Sequence, residues 1–173
     1  DNVYCLEWWA DKILKGDFIP AVGGRDYHRD YVVTKLLCVP TTYVYAESNS
    51  IEDILAAIKR GNVFVTNSPK APKLFLTAGD AVPGDKVLLS EVNSVHVQLE
   101  QLKAGRTLRV YHNEKVIYEL AAKHMMRDID VDIPVTEKGF VRADVKFPYK
   151  GLVKTVYVKV AGGKFGMHDE GEE

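Results

Sequence analysis

Apolar and polar side chains alternate in the stretch Val95-His96-Val97-Gln98-Leu99-Glu100. Successive side chains of a β-strand point to opposite faces, so this pattern predicts a strand with one face in a core and the other toward water. Comparable runs, rich in β-branched and aromatic residues, occur at 73–78, 86–90, 94–102, 107–112, 115–121, 128–135, 139–147 and 152–160. Turn residues at 112–115 and 148–151 separate some of these runs. Residues 70–165 are therefore predicted to form an antiparallel β-sandwich.

The chain before this region has a different period. Apolar side chains recur at helical spacing in residues 3–15, and Gly16 follows them, so an amphipathic helix is predicted there. Residues 18–22 are predicted to form a short buried strand, and residues 41–46 another.

A second helix and a further strand are predicted next. Ser50 and Asp53 form an N-terminal cap, and Gly61 marks the C-terminus. Residues 62–66 follow as a strand. The order helix, strand, helix, strand suggests βα units whose sheet needs more strands than this region holds.

Three regions follow from these patterns. Residues 1–69 form an α/β region, and the two prolines near 68–72 form a linker. Residues 70–165 form the sandwich, and the acidic residues 166–173 form a tail without apolar anchors. The predicted fold class is α+β and rich in β-structure.

Composition excludes some classes of function. The 173 residues include 46% apolar residues, enough for a packed core, and the 23 Lys and Arg are balanced by 24 Asp and Glu. We therefore expect neither nucleic acid nor a membrane surface as partner. No apolar run approaches the roughly 20 residues that span a bilayer.

Other features of the sequence concern its origin and its thiols. The N-terminus lacks an initiator Met and a basic leader, so we expect a processed or excised chain, and of the compartments the cytoplasm is favoured. Cys5 and Cys38 are expected to be buried thiols.

Asp26-Tyr27-His28 is the cluster with the character of a metal site. Alternation along an extended backbone points Asp26 and His28 the same way, so an oxygen and a nitrogen ligand could reach one cation. By spacing alone, the triplet fits either a metal site or a solvated loop that begins at a glycine turn.

A family resemblance favours the metal site. Residues 6–9, 20–28, 40–46 and 54–66 resemble, in this order, the end of the polymerase-and-histidinol-phosphatase (PHP) domain, in particular its CehA/McbA-like metallohydrolase branch. In that family, a G-S-D-x-H segment supplies the last Asp and His of a multinuclear metal centre on a distorted seven-stranded (β/α)7 barrel. Asp26 and His28 match that pair, whereas Arg25 and Tyr27 replace the usual Ser and Ala.

The resemblance implies a specific function. The chain would be the truncated C-terminal end of a PHP barrel, followed by the immunoglobulin-like sandwich often appended to this branch. The parent protein would be a metal-dependent hydrolase that binds divalent Zn, Mn or Fe and cleaves a phosphate-ester small molecule, or another ester or an amide. Its remaining ligands would precede residue 1, so we expect no hydrolase activity from this chain alone.

Two functional hypotheses therefore stay open. The first is a fragment of a metallo-phosphoesterase whose truncated barrel edge promotes self-association. The second is a non-catalytic module whose sandwich binds a carbohydrate, a peptide or a partner subunit. Asp26 and His28 side by side at a strand end would favour the first hypothesis, and an aromatic-lined groove on the sandwich would favour the second.

Overall fold

The computed structural model of the chain describes residues 2–24 and 38–146, and for residues 2–6 the backbone alone. Two helices and eight strands lie in this part of the chain. In order they are α1 (Asn2–Leu14), β1 (Thr41–Val44), α2 (Ile51–Arg60), β2 (Val63–Thr66), β3 (Leu74–Thr77), β4 (Ser94–Leu102), β5 (Thr107–His112), β6 (Lys115–Ala121), β7 (Met126–Pro134) and β8 (Val141–Lys146).

Residues 2–24 and 38–66, here called the α/β segment, contain both helices and a two-stranded sheet. Helix α2 has the predicted caps: the Ser50 hydroxyl accepts the Asp53 N–H at 3.1 Å, and Gly61 ends the helix with a φ of 81°. The pair β1 and β2 is antiparallel, with Thr41 opposite Thr66 and Val44 opposite Val63. The βα units suggested by the sequence would ordinarily pair their strands in parallel, so this connection differs from a repeated βα unit.

The predicted sandwich consists of two antiparallel sheets. One has the strand order β3-β4-β7 and the other β6-β5-β8. Both sheets contribute to one core, whose most deeply buried side chains are Val97, Leu99, Leu102, Leu108 and Val110. Val95, Val97 and Leu99 face this core and His96, Gln98 and Glu100 face outward, as their alternation predicts.

Two predicted strands are wrong in the described part of the chain. Residues 18–22 are irregular and join no sheet within the described chain, and Phe18 packs against Gly61. Pro20 lacks the N–H that a central strand would donate. Residues 86–90 are also irregular and form an exposed loop in which Leu88 is 64% exposed.

Some predictions fall outside the described residues, namely the strand at 152–160, the turn at 148–151 and the tail at 166–173. The remaining six strand predictions of the sandwich are confirmed within one or two residues at most ends. Cys38 is exposed, with a positive φ of 62°, so the expectation of a buried thiol is wrong there. Neither described helix has the length and apolar character that crossing a bilayer requires.

Candidate functional site

Asp26 and His28, the predicted metal ligands, lie outside the described residues. Gly23, which precedes them in the sequence, packs against the two-stranded sheet of β1 and β2. The Gly23 N–H donates to the Thr42 hydroxyl at 2.8 Å, and a Cβ on Gly23 would lie 2.8 Å from Val65 Cγ1. Only glycine fits this approach at position 23, whereas a Cβ on Gly24 would meet nothing within 4 Å.

Within residues 2–24 and 38–146, no group of three or more His, Cys, Asp or Glu side chains is arranged to bind a metal ion. The described histidines are scattered, as their sequence positions predict. His96 lies on the outer face of β4, with Nδ1 2.8 Å from Asp132 Oδ1 and Nε2 3.5 Å from Asp130 Oδ1. His112 ends β5, and His124 is exposed in the connection before β7.

Asn62 connects the α/β segment to the sandwich. It is 3% exposed, and its Nδ2 donates to the Pro83 carbonyl at 2.9 Å and to Asp85 Oδ1 at 2.8 Å. Its Oδ1 accepts from Arg60 Nε at 2.9 Å. Buried amides are stable only where their donors and acceptors are paired, so Asn62 holds the loop after β3 against the C-terminus of α2.

Gly61 packs closely against both Phe18 and Gly84 beside Asn62. A Cβ on Gly61 would lie 2.4 Å from Phe18 Cζ, and a Cβ on Gly84 would lie 2.4 Å from the Gly61 carbonyl carbon. Gly84 also has a positive φ of 95°, which an L-residue rarely adopts. We call the contact of Gly61, Asn62, Gly84 and Asp85 the Asn62 joint.

Aromatic rings form a second contact between the α/β segment and the sandwich. The Tyr43 and Phe64 rings stack with centroids 4.8 Å apart, and Phe64 meets Phe75 of β3 edge-on at 5.4 Å. The Tyr43 hydroxyl donates to the Pro69 carbonyl at 3.0 Å. These described rings pack against one another between the two regions.

Helix α1 makes a separate contact with the sandwich. The Trp9 ring meets Phe140 edge-on at 6.3 Å, and its Nε1 donates to the Ile19 carbonyl at 2.7 Å. The neighbouring Trp8 is 55% exposed.

A polar cluster lies on the outer face of β5 and β8. Arg142 places its guanidinium carbon 3.7 Å from the centre of the Tyr111 ring, and its Nη1 donates to Asp144 Oδ2 at 2.9 Å. Within the described residues, Arg142 Nε and Asp144 Oδ1 are buried and have no hydrogen-bond partner. Burial raises the pKa of Asp144, while the positive charges of Arg142 and Lys146 act in the opposite direction.

Sequence reasoning missed both the Asn62 joint and this cluster. The alternation of Arg142, Asp144 and Lys146 correctly places them on the outer face of β8, but Asp144 is buried there. For the joint, the available signal was the pair of turn sequences at 61–62 and 83–85, which mark two close backbone positions without showing that they meet.

In comparisons with known proteins, no family model, no curated protein and no solved structure matches the chain.

Proposed function

We propose that the chain is the C-terminal part of a metal-dependent hydrolase of the PHP type, in which the sandwich is an accessory domain. Asp26 and His28 would bind a divalent cation, Zn, Mn or Fe, together with ligands from an upstream part of the parent protein. The cation would lower the pKa of a bound water for attack on a phosphate ester. Because two side chains are fewer than a catalytic metal requires, no catalytic step is assigned to this chain alone.

The observation that carries this proposal is the exposed apolar surface of the α/β segment. Helix α2 has an apolar face, yet Ile51 is 72% and Leu55 52% exposed. Leu14, Phe18 and Val22 are also exposed. Exposed apolar surface of this kind marks a contact with further protein, and a two-stranded sheet offers little to cover it.

The strand order of the sandwich also supports the proposal. The orders β3-β4-β7 and β6-β5-β8 are those of strands A-B-E and C′-C-F in an immunoglobulin-like arrangement, the type of sandwich that the resemblance implies. The contacts at Asn62 and Phe64 hold the sandwich against the α/β segment and so support the proposed accessory role.

Metal titration of the full chain tests the proposed ligands. We expect Zn²⁺ binding, measured by calorimetry, that the double variant D26A/H28A loses. The double variant D80A/H124A removes the same residue types from two exposed positions, and we expect it to bind as the unmodified chain does. Equal binding by all three proteins would contradict the assignment of Asp26 and His28.

Two further outcomes follow from the proposal. The chain should show no metal-dependent phosphodiesterase activity, because its metal site is incomplete. A measurable rate would contradict this expectation. The exposed apolar surface should also cause self-association at the truncated barrel edge, and light scattering that shows a monomer at high concentration would contradict this.

A further inference from the structure

The link between β2 and β3 is short and contains two prolines, but it is not the only connection between the α/β segment and the sandwich. We propose that the Asn62 joint couples the two regions, so that the two-stranded sheet of β1 and β2 opens only when the sandwich unfolds. The sandwich then acts as a structural support for the α/β segment. This inference does not depend on the proposed hydrolase function.

The hydrogen bonds of the Asn62 joint cross from the α/β segment to the loop after β3. Asn62 lies between the C-terminus of α2 and the start of β2, and both of its Nδ2 bonds cross to residues of the loop after β3. The Asp85 carboxylate is used twice, since Oδ1 accepts from Asn62 and Oδ2 accepts the Val82 N–H at 3.0 Å. The Asp85 side chain therefore orders the loop after β3 and also accepts the hydrogen bond from Asn62 Nδ2.

Backbone packing prevents the joint from adjusting to a lost bond. The Gly84 Cα lies 3.5 Å from the position that a Gly61 Cβ would occupy, so the two backbones are in direct contact. Interiors packed this closely transmit displacement to their neighbours. Loss of the Asn62 bonds would leave polar groups of both regions unpaired at this contact and would favour separation.

Within the described residues, the two-stranded sheet of β1 and β2 otherwise contacts α2 and Gly23. A two-stranded sheet is marginally stable in water by itself, and on α2 Ile51 and Leu55 are exposed while Ala57 is fully buried. The contacts with the sandwich, at the Asn62 joint and at the ring contact of Phe64 and Phe75, add to the protection of the β2 amides.

Native-state amide hydrogen exchange of the full chain, read by mass spectrometry at low denaturant, tests the coupling. In the unmodified chain we expect β2 and β4 to exchange with the same denaturant dependence. Asn62→Asp keeps the acceptor for Arg60 but replaces the Nδ2 donor with an acceptor that faces Asp85. We expect protection of β2 to fall by about tenfold or more, with β4 nearly unchanged.

Two other variants complete the experiment. Val97→Ala creates a cavity in the fully buried core of β4, so it should lower the protection of β2 and β4 together. Asp85→Ala removes the partner at an exposed position and serves if N62D does not fold; it should lower protection of β2 alone, by less than N62D. Equal loss of protection in β2 and β4 for N62D or D85A, or separate exchange of β2 in the unmodified chain, would overturn the coupling.

Discussion

The two regions of the molecule differ in where their large apolar side chains lie. In the sandwich, Leu99 is 2% exposed, and both sheets cover it. In the α/β segment, Leu55 lies on the apolar face of helix α2 and is 52% exposed. The comparison teaches that regular secondary structure can form without a complete hydrophobic core. The α/β segment has regular helices and strands, but it depends on its neighbours to cover its apolar side chains.

Matched leucine substitutions measure this difference directly. Leu99→Ala should lower the free energy of unfolding by about 2–5 kcal/mol, because it removes buried methyl groups and leaves a cavity. Leu55→Ala should change it by less than about 0.5 kcal/mol, because the side chain is half exposed and alanine favours the helix. Urea titration gives both values, and equal losses would show that α2 is buried in solution, for example by self-association.

Matched glycine substitutions test the contact between the regions. Gly16 and Gly84 have similar positive φ values of 92° and 95°, but a Cβ on Gly16 meets nothing within 4 Å. Gly16→Ala should therefore cost about 1–2 kcal/mol from backbone strain alone. Gly84→Ala should cost about 1–3 kcal/mol more, because its Cβ meets the backbone of Arg60 and Gly61. If thermal or urea unfolding gives the same loss for both, the two backbones are not in contact.

Asp144 provides a smaller, pH-dependent test within the sandwich. Its pKa is raised in the folded state by burial, so the folded protein favours the protonated carboxyl. Stability from this group is fully present below the unfolded pKa and is lost as pH rises through the folded pKa. The stability of Asp144→Asn relative to the unmodified chain should thus increase as pH rises above 3.8, the ordinary value.

Urea titrations at several pH values measure this dependence. Asp80→Asn, at an exposed position, controls for the loss of one negative charge. A stability difference between Asp144→Asn and the unmodified chain that is independent of pH, or that decreases as pH rises, would contradict the burial of Asp144.

Local patterns predicted much of the fold. Alternation located β4 and its inward residues, and Ser50 and Gly61 predicted the ends of α2, because these signals depend on neighbours in sequence. The apolar residues Val87, Leu88 and Leu89 were wrongly assigned to a strand, since no partner strand pairs with them in the described chain. Strand formation requires a partner, which the local sequence does not reveal.

The candidate site was less predictable for the same reason. Asn62 and Asp85 acquire their role by meeting across 23 residues, and neither belongs to a motif. The burial of Asp144 likewise results from the side chains around it and not from its alternation in β8. Asp26 and His28 stay predictions, carried by their spacing and by the family resemblance.

One measurement tests most directly whether the sandwich and the α/β segment form a single unit. Both tryptophans, Trp8 and Trp9, lie on α1, so tryptophan fluorescence reports on the α/β segment and on the contact of Trp9 with Phe140. Far-UV circular dichroism in the strand region reports mainly on the sandwich. In urea, the two probes should give coincident transitions with one midpoint. A fluorescence transition complete at lower urea than the circular dichroism transition would show that the α/β segment unfolds independently and would contradict the account.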